Sequence, residues 1–264
     1  MPTIRSADAD IYYETHGAGT PVMLIAGLAG VGATWGPQVG LFAKKHTVIL
    51  PDHRGTGRSS HTTSGLTISQ HAADFAALVR HLGIGPVHAV GSSTGGAIAQ
   101  MLALEQPDVV KTISIVSSWS RGDAFFRRQF NARAQMLNAA GVRAATDMGA
   151  LFLFDPRFQM SNPKAVEAWA DAAAAGASAP EIGKARIDMI LGYDRLDQLG
   201  AIKCPTLIFV GESDFCTPPH MSEAMAAKIP GAEFAKMPGG HFFFIESPDA
   251  FHDRVEAFIA RHGG

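Results

Sequence analysis

The stretch Ala89-Val90-Gly91-Ser92-Ser93-Thr94-Gly95-Gly96-Ala97 constrains this chain more than any other. An apolar run enters a tight turn of the form G-x-S-x-G and leaves it as a small-residue helix. Such a turn holds its central serine in a strained backbone conformation and lifts the hydroxyl above the end of a sheet. Gly91 and Gly95 suit it because side chains at either place would collide across the turn. The same five residues also suit a plain glycine-rich turn, so the surrounding pattern decides between the two.

Apolar runs and helical patterns alternate along most of the chain. A short strand is expected at 11–14, paired in a hairpin with the first residues. Further strands are expected at 21–26, 46–50, 87–90, 111–116, 206–210 and 233–236. Continuous apolar runs such as 21–26 suit strands buried on both faces. Helices are expected near 34–44, from Thr67 or Ser69 to about Leu82, from Ser93 to Leu104, and over 248–261. The alternation predicts the α/β class, with a mostly parallel sheet and helices on both faces. Between Ser118 and Cys204 the strand signals stop. Helical patterns at 123–140, 142–152, 163–175 and 179–199 predict a helical cap, residues 119–203, inserted in a core made of residues 1–118 and 204–264.

The chain has 264 residues, 47% hydrophobic and 17% charged, which is enough to bury one large core. Lys plus Arg number 22 and Asp plus Glu 24. That balance calls for neither nucleic acid nor an anionic membrane surface. The two cysteines, Cys204 and Cys216, exclude a disulfide framework and lack metal-ligand spacing. The first residues carry no apolar signal core, and no apolar run reaches the ~18 residues that span a bilayer. A cytoplasmic setting is therefore expected, and neither a metal nor an organic cofactor is called for.

A nucleophilic serine needs a base, and the base needs an orienting acid. Both should lie on loops at the carboxyl ends of strands, where a doubly wound sheet exposes its chemistry. Among the 11 histidines, His241 follows the strand 233–236 and the turn Met237-Pro238-Gly239-Gly240, and is the expected base. For the acid, Asp214 lies just beyond the strand 206–210; Glu212 in the same loop and Asp123 after the preceding strand are the alternatives.

Ser93, Asp214 and His241 follow one another in the order serine, acid, histidine. With the elbow 91–95 this resembles the α/β-hydrolase superfamily, and the likeness extends over nearly the whole chain. Asp52-His53-Arg54-Gly55-Thr56-Gly57-Arg58-Ser59 also looks like a loop common there, in which Asp52 and Arg54 tie down a turn; Arg54 touching substrate is the alternative. The resemblance implies an oxyanion hole made by the amide of Thr94, directly after the nucleophile, and that of Leu28 in Ala26-Gly27-Leu28-Ala29-Gly30. The family often has His-Gly where this chain has Ala26-Gly27. The segments 22–30, Trp35, 54–57, 119–121 and 151–154 are similar to the group of 3-oxoadipate enol-lactonases and aminoacrylate hydrolases. That likeness implies a small-molecule substrate, often carboxylate-bearing, cleaved at an ester, lactone or related acyl carbon.

Trp35, Trp119, Arg121, Phe125 and Phe242 are candidate substrate contacts. Arg121, Arg127, Arg128, Arg133, Arg186 and Arg195 are all placed in the predicted cap. Any of them could bind a carboxylate in a bidentate contact or simply cover an apolar helix face. Competing readings share parts of the pattern. Gly27 to Gly32 after a strand imitates a dinucleotide fingerprint, but Trp35 stands where the third glycine belongs. A carbon–carbon hydrolase or a cofactor-free perhydrolase would use the same triad. A small-molecule receptor of hydrolase fold is the non-enzyme alternative.

Overall fold

Strands at the middle of the sheet are mostly apolar because helices cover both faces. In β5 (Val87–Ser92) and β7 (Thr206–Gly211) every residue is buried. The structure is a computed structural model and describes residues 1–262. The other strands are β1 (Thr3–Ser6), β2 (Ala9–His16), β3 (Thr20–Ile25), β4 (His46–Pro51), β6 (Val110–Val116) and β8 (Glu233–Met237). They form one eight-stranded sheet in the order β1-β2-β4-β3-β5-β6-β7-β8. The pairs β1–β2 and β2–β4 are antiparallel, and every pair from β4–β3 onward is parallel.

Helices α1 (Pro37–Phe42), α2 (Ile68–Leu82), α3 (Thr94–Glu105), α8 (Pro219–Ala226), α9 (Phe243–Glu246) and α10 (Pro248–His262) accompany the sheet. Thr67 caps α2 by accepting the amide of Gln70 at 3.0 Å. The helix expected at 34–44 is broken. A 3₁₀ turn over Gly32–Trp35 ends at Gly36, whose φ is 32°, and α1 starts afresh at Pro37. Proline at the first helical position is a start signal the sequence carried.

Helices α4 (Ala124–Leu153), α5 (Pro156–Ser161), α6 (Pro163–Ala175) and α7 (Pro180–Leu191) come between β6 and β7. Gly141, with φ 82°, kinks α4 where two helices were expected to meet. The helix expected at 179–199 stops instead at Leu191. Gly192 closes it, Tyr193 buries its ring, and a 3₁₀ turn over Leu196–Ala201 follows. Among the described residues no helix is long and apolar enough to cross a membrane.

Close backbone approach sets the sheet's carboxyl edge. A Cβ added at Gly95 would lie 2.1 Å from the carbonyl oxygen of Ile25 and 2.7 Å from that of Ala26. Neither oxygen can withdraw, because Ile25 ends β3, which supports α3, and Ala26 follows it directly. Gly95→Ala is therefore expected to destabilise the fold by about 3 kcal/mol through backbone overpacking. Urea unfolding checks this, and an unchanged midpoint would contradict it.

Candidate active site

Ser93 occupies the turn between β5 and α3 with φ 55° and ψ −116°, a conformation sparsely populated for a side-chain-bearing residue. Hydrogen bonds hold it there. Its amide donates to the Val116 carbonyl at 2.8 Å. Its carbonyl accepts from the amides of Gly96 and Ala97 and, at 2.7 Å, from the hydroxyl of Ser118.

The loops after β7 and β8 bring the acid and the base together. A Cβ at Gly211 would sit 2.1 Å from the Gly240 carbonyl oxygen, so the two loops press backbone on backbone. Asp214 is buried and accepts from the amides of Cys216 and Thr217, each at 2.8 Å. His241 Nδ1 lies 3.1 and 2.9 Å from the two carboxylate oxygens of Asp214. A carboxylate accepts, so Nδ1 carries the proton and Nε2 of the neutral ring is left as a base. The Thr217 hydroxyl, which sequence reasoning missed, donates to Asp214 at 3.0 Å and braces the pair. Of the other candidate acids, Glu212 is exposed. Asp123 caps α4 and bonds His220 at 2.8 Å.

Ser93 and His241 line one cavity of about 480 Å³. They share it without a hydrogen bond between them; in unliganded sites such a contact tightens when substrate enters. Gly27 and Leu28 line the same cavity. A Cβ at Gly27 would lie 3.3 Å from that of Ser93, so this loop runs directly against the serine. Thr94 opens α3, where the helix dipole favours negative charge. Among the described residues, the amides of Leu28 and Thr94 have no protein acceptor. Cys216 also lines the cavity, but burial pushes its thiol up to about 12 and keeps it protonated.

Trp35 and Phe242 reach the cavity as expected. Trp119, Arg121 and Phe125, also expected as substrate contacts, do not reach it. Trp119 is fully buried against Phe126, with ring centroids 4.9 Å apart. Arg121 is ion-paired with Asp194 at 2.8 Å and Asp197 at 2.7 Å. Phe125 is 44% exposed on the outer face of α4. Two other arginines of the inserted helices, Arg133 and Arg186, line the cavity instead. Arg54 is buried in a pair with Asp74 at 2.7 Å and anchors its loop.

A family model for the alpha/beta hydrolase fold matches residues 20–248. The chain belongs to the α/β-hydrolase family, and it is a hydrolase. It is 36% identical to a protein of Azorhizobium caulinodans provisionally named carbamate hydrolase RutD, over 98% of each chain. Among solved structures it is similar to a thermophilic esterase from Thermogutta terrifontis with malate bound, with 25% identity, a TM-score of 0.88, and 99% and 100% of the two chains covered. The enol-lactonase of Burkholderia xenovorans LB400 shares the fold, with a TM-score of 0.90 at 23% identity over 98% and 100% of the two chains.

Behind the Leu28 loop the hydrolase buries a cation beside two imidazoles. Arg186, from α7, donates to His53 Nδ1 at 3.1 Å and to His71 Nε2 at 3.4 Å. Arg54 and Asp74 stand next to them, Asp74 on the same helix as His71. Burial first, and the Arg186 charge second, push His53 well below the usual histidine range and His71 down to about 3. Burial lowers Arg186 to about 10, so it stays charged at neutral pH. The sign of the linkage is fixed. Both histidines are neutral when folded and bind a proton below about pH 6.5 when unfolded, so their contribution is complete above that pH and is lost as pH falls. Stability should decline between pH 6.5 and 5, by up to about 1.4 kcal/mol per pH unit for each proton taken up on unfolding. A Tm that stays flat from pH 7.5 to 5 would contradict this.

Proposed function

We propose that this hydrolase cleaves an ester or lactone of a mostly apolar, carboxylate-bearing acid through an acyl-serine intermediate. The observation that carries the reading is that the strained Ser93, His241 with Asp214 bonded behind it, and Leu28 meet at one cavity, with Thr94 directly after the serine. The helices between β6 and β7 act as the cap that closes this cavity from water.

Ser93 Oγ attacks the carbonyl carbon while His241 Nε2 takes its proton. The carbonyl becomes an oxyanion held by the Leu28 and Thr94 amides, each such donor being worth roughly 3–4 kcal/mol in the transition state. Asp214 fixes the imidazole tautomer and steadies the imidazolium. Collapse breaks the bond to the leaving alcohol, which receives the proton from His241. Water then gives a proton to His241 and its hydroxyl to the acyl carbon, and Ser93 leaves with the proton back on Oγ.

The lining selects among acyl groups. Leu137, Val142, Ala145, Leu153, Trp169 and Phe242 make most of the wall apolar. Unsubstituted carbamate, the smallest molecule that the relative's name covers, would leave most of the roughly 480 Å³ unfilled and its apolar walls without partner atoms. A larger, mainly hydrocarbon acid fills it. Arg133 adds charge selection. It lies over the Phe130 ring, 4.9 Å from its centroid, and among the described residues forms no ion pair with a carboxylate. A substrate carboxylate would supply that partner. The free thiols Cys204 and Cys216 suit a reducing cytoplasm as the setting.

Ser93→Ala should lower kcat/KM for p-nitrophenyl esters by roughly 10³-fold or more. Turnover near the parent rate would end the acyl-serine reading. On a panel of esters with and without a carboxylate, Arg133→Gln should raise KM for the charged members about tenfold more than for the neutral ones. Equal changes on both sets would remove Arg133 as the carboxylate contact.

A further inference from the structure

Arg186 lines the cavity beside the reacting centre, yet it cannot be a substrate contact. A guanidinium has five N–H donors, and here every one is directed at a protein acceptor. Nε and Nη2 both donate to the carbonyl oxygen of Leu28, at 3.1 and 2.8 Å. Nη1 donates to the carbonyl of Arg54 at 3.2 Å and to His71 at 3.4 Å. Nη2 also donates to His53 at 3.1 Å. The side chain is 2% exposed, and no carboxylate pairs with it among the described residues. Holding a buried cation on carbonyls and neutral rings is costly unless the geometry is used for something.

The two-pronged grip falls on Leu28, whose amide the acyl-serine reading assigns to the oxyanion. Residues 27–30 form a tight turn. The Gly30 amide donates to the Gly27 carbonyl at 2.9 Å, and the Gly30 carbonyl accepts from the His53 amide at 2.7 Å and the Thr56 hydroxyl at 2.8 Å. Those supports all come from the sheet domain, whereas the Leu28 carbonyl between them is held from α7. The fit is tight: a Cβ at Gly30 would lie 2.8 Å from Arg186 Nη2.

We propose that Arg186 is a positioning residue for the oxyanion-binding loop, by which the seating of α7 sets the direction of the Leu28 amide. The inference rests on the acyl-serine reading above. It makes the inserted helices part of transition-state stabilisation as well as a cover for the cavity. A donor misaimed by a fraction of an ångström loses the oxyanion while ground-state binding in the apolar cavity persists, so the loss should appear in kcat.

The test uses the full chain with Arg186→Met and Arg186→Lys, at a temperature well below each variant's Tm. Active sites are counted by complete reaction with a fluorophosphonate, so that unfolded protein is not scored as slow enzyme. Per active site, Arg186→Met should lose roughly 10²-fold in kcat on p-nitrophenyl butyrate with KM changed less than about threefold. Arg186→Lys, with a charge but no fork, should fall between it and the parent. The rate of phosphonylation should drop in parallel, since that adduct also places an oxygen on the two amides. Hydrogen exchange of residues 27–31 should speed up in Arg186→Met while β3 exchanges as before. A purely structural arginine would lower Tm and leave kcat per site, the phosphonylation rate and this local exchange unchanged, and that result overturns the proposal. If turnover survives Ser93→Ala, the acyl-serine reading fails by itself; the exchange of residues 27–31 then still decides whether Arg186 holds the loop.

Discussion

Backbone pressed against backbone, with no Cβ between, places the chemistry of this hydrolase. At Gly91 a Cβ would lie 2.1 Å from the carbonyl oxygen of Gly95; at Gly95 it would meet that of Ile25, and at Gly211 that of Gly240, both at the same distance. These contacts tie the serine turn to β3 and tie the acid loop to the histidine loop. Steric contacts of this kind have steep walls, so they fix position to within tenths of an ångström. Hydrogen bonds alone allow more slack. The strain in Ser93 persists because the turn around it has nowhere else to go.

Polar burial carries the next layer. Arg54 and Asp74 form a fully buried pair through two hydrogen bonds at 2.7 and 2.8 Å. Removing one partner of such a pair typically costs about 3–5 kcal/mol, because the other charge is stranded. That pair anchors the loop from Asp52 to Ser59. Asp52 in turn accepts the Gly32 amide at 2.9 Å, and His53 and Thr56 hold the Gly30 carbonyl. The Leu28 loop therefore stands on a platform anchored by a buried ion pair. Two histidines in that platform remain neutral, since a proton on either would face Arg186 across a dry interior.

The pattern that was legible beforehand is the pattern that burial writes into sequence. Strands covered on both faces show as unbroken apolar runs, and a glycine such as Gly141 marks a kink because it alone relaxes at positive φ. The placement of Ser93, Asp214 and His241 was legible because each follows a strand end and the turn chemistry leaves few choices. What could not be read was the facing of side chains in the inserted helices. Arg121 looked available from its neighbours, but its partners Asp194 and Asp197 lie 73 and 76 positions further on. Trp119 and Phe125 begin the same segment, yet one turns inward against Phe126 and the other outward to solvent. Arg121, Arg186 and Arg133 sort into ion-paired, saturated and cavity-facing only once α4 and α7 are packed. The early end of α7 had a visible signal in Gly192; the burial of Tyr193 that confirms it did not.

The inserted helices grip the site asymmetrically. On one side Arg186 holds the Leu28 carbonyl. On the other, the Leu153 carbonyl at the end of α4 accepts the amide of Phe242 at 2.9 Å, next to His241. Glu246 joins the same junction by accepting the amides of Asp155 at 2.9 Å and Gly240 at 3.1 Å. Gln129 on α4 reaches the Cys216 carbonyl, beside Asp214. Ser93, by contrast, is bonded to Val116 and Ser118 at the carboxyl end of β6. On the acyl-serine reading, a shift of these helices would thus move the proposed oxyanion loop and base while Ser93 stays in place. Those two groups act on charge that develops during reaction, and the apolar wall acts on substrate already bound. Coupling helix position to the first pair tunes the barrier without loosening the ground-state complex, which is the distinction that raises kcat over affinity.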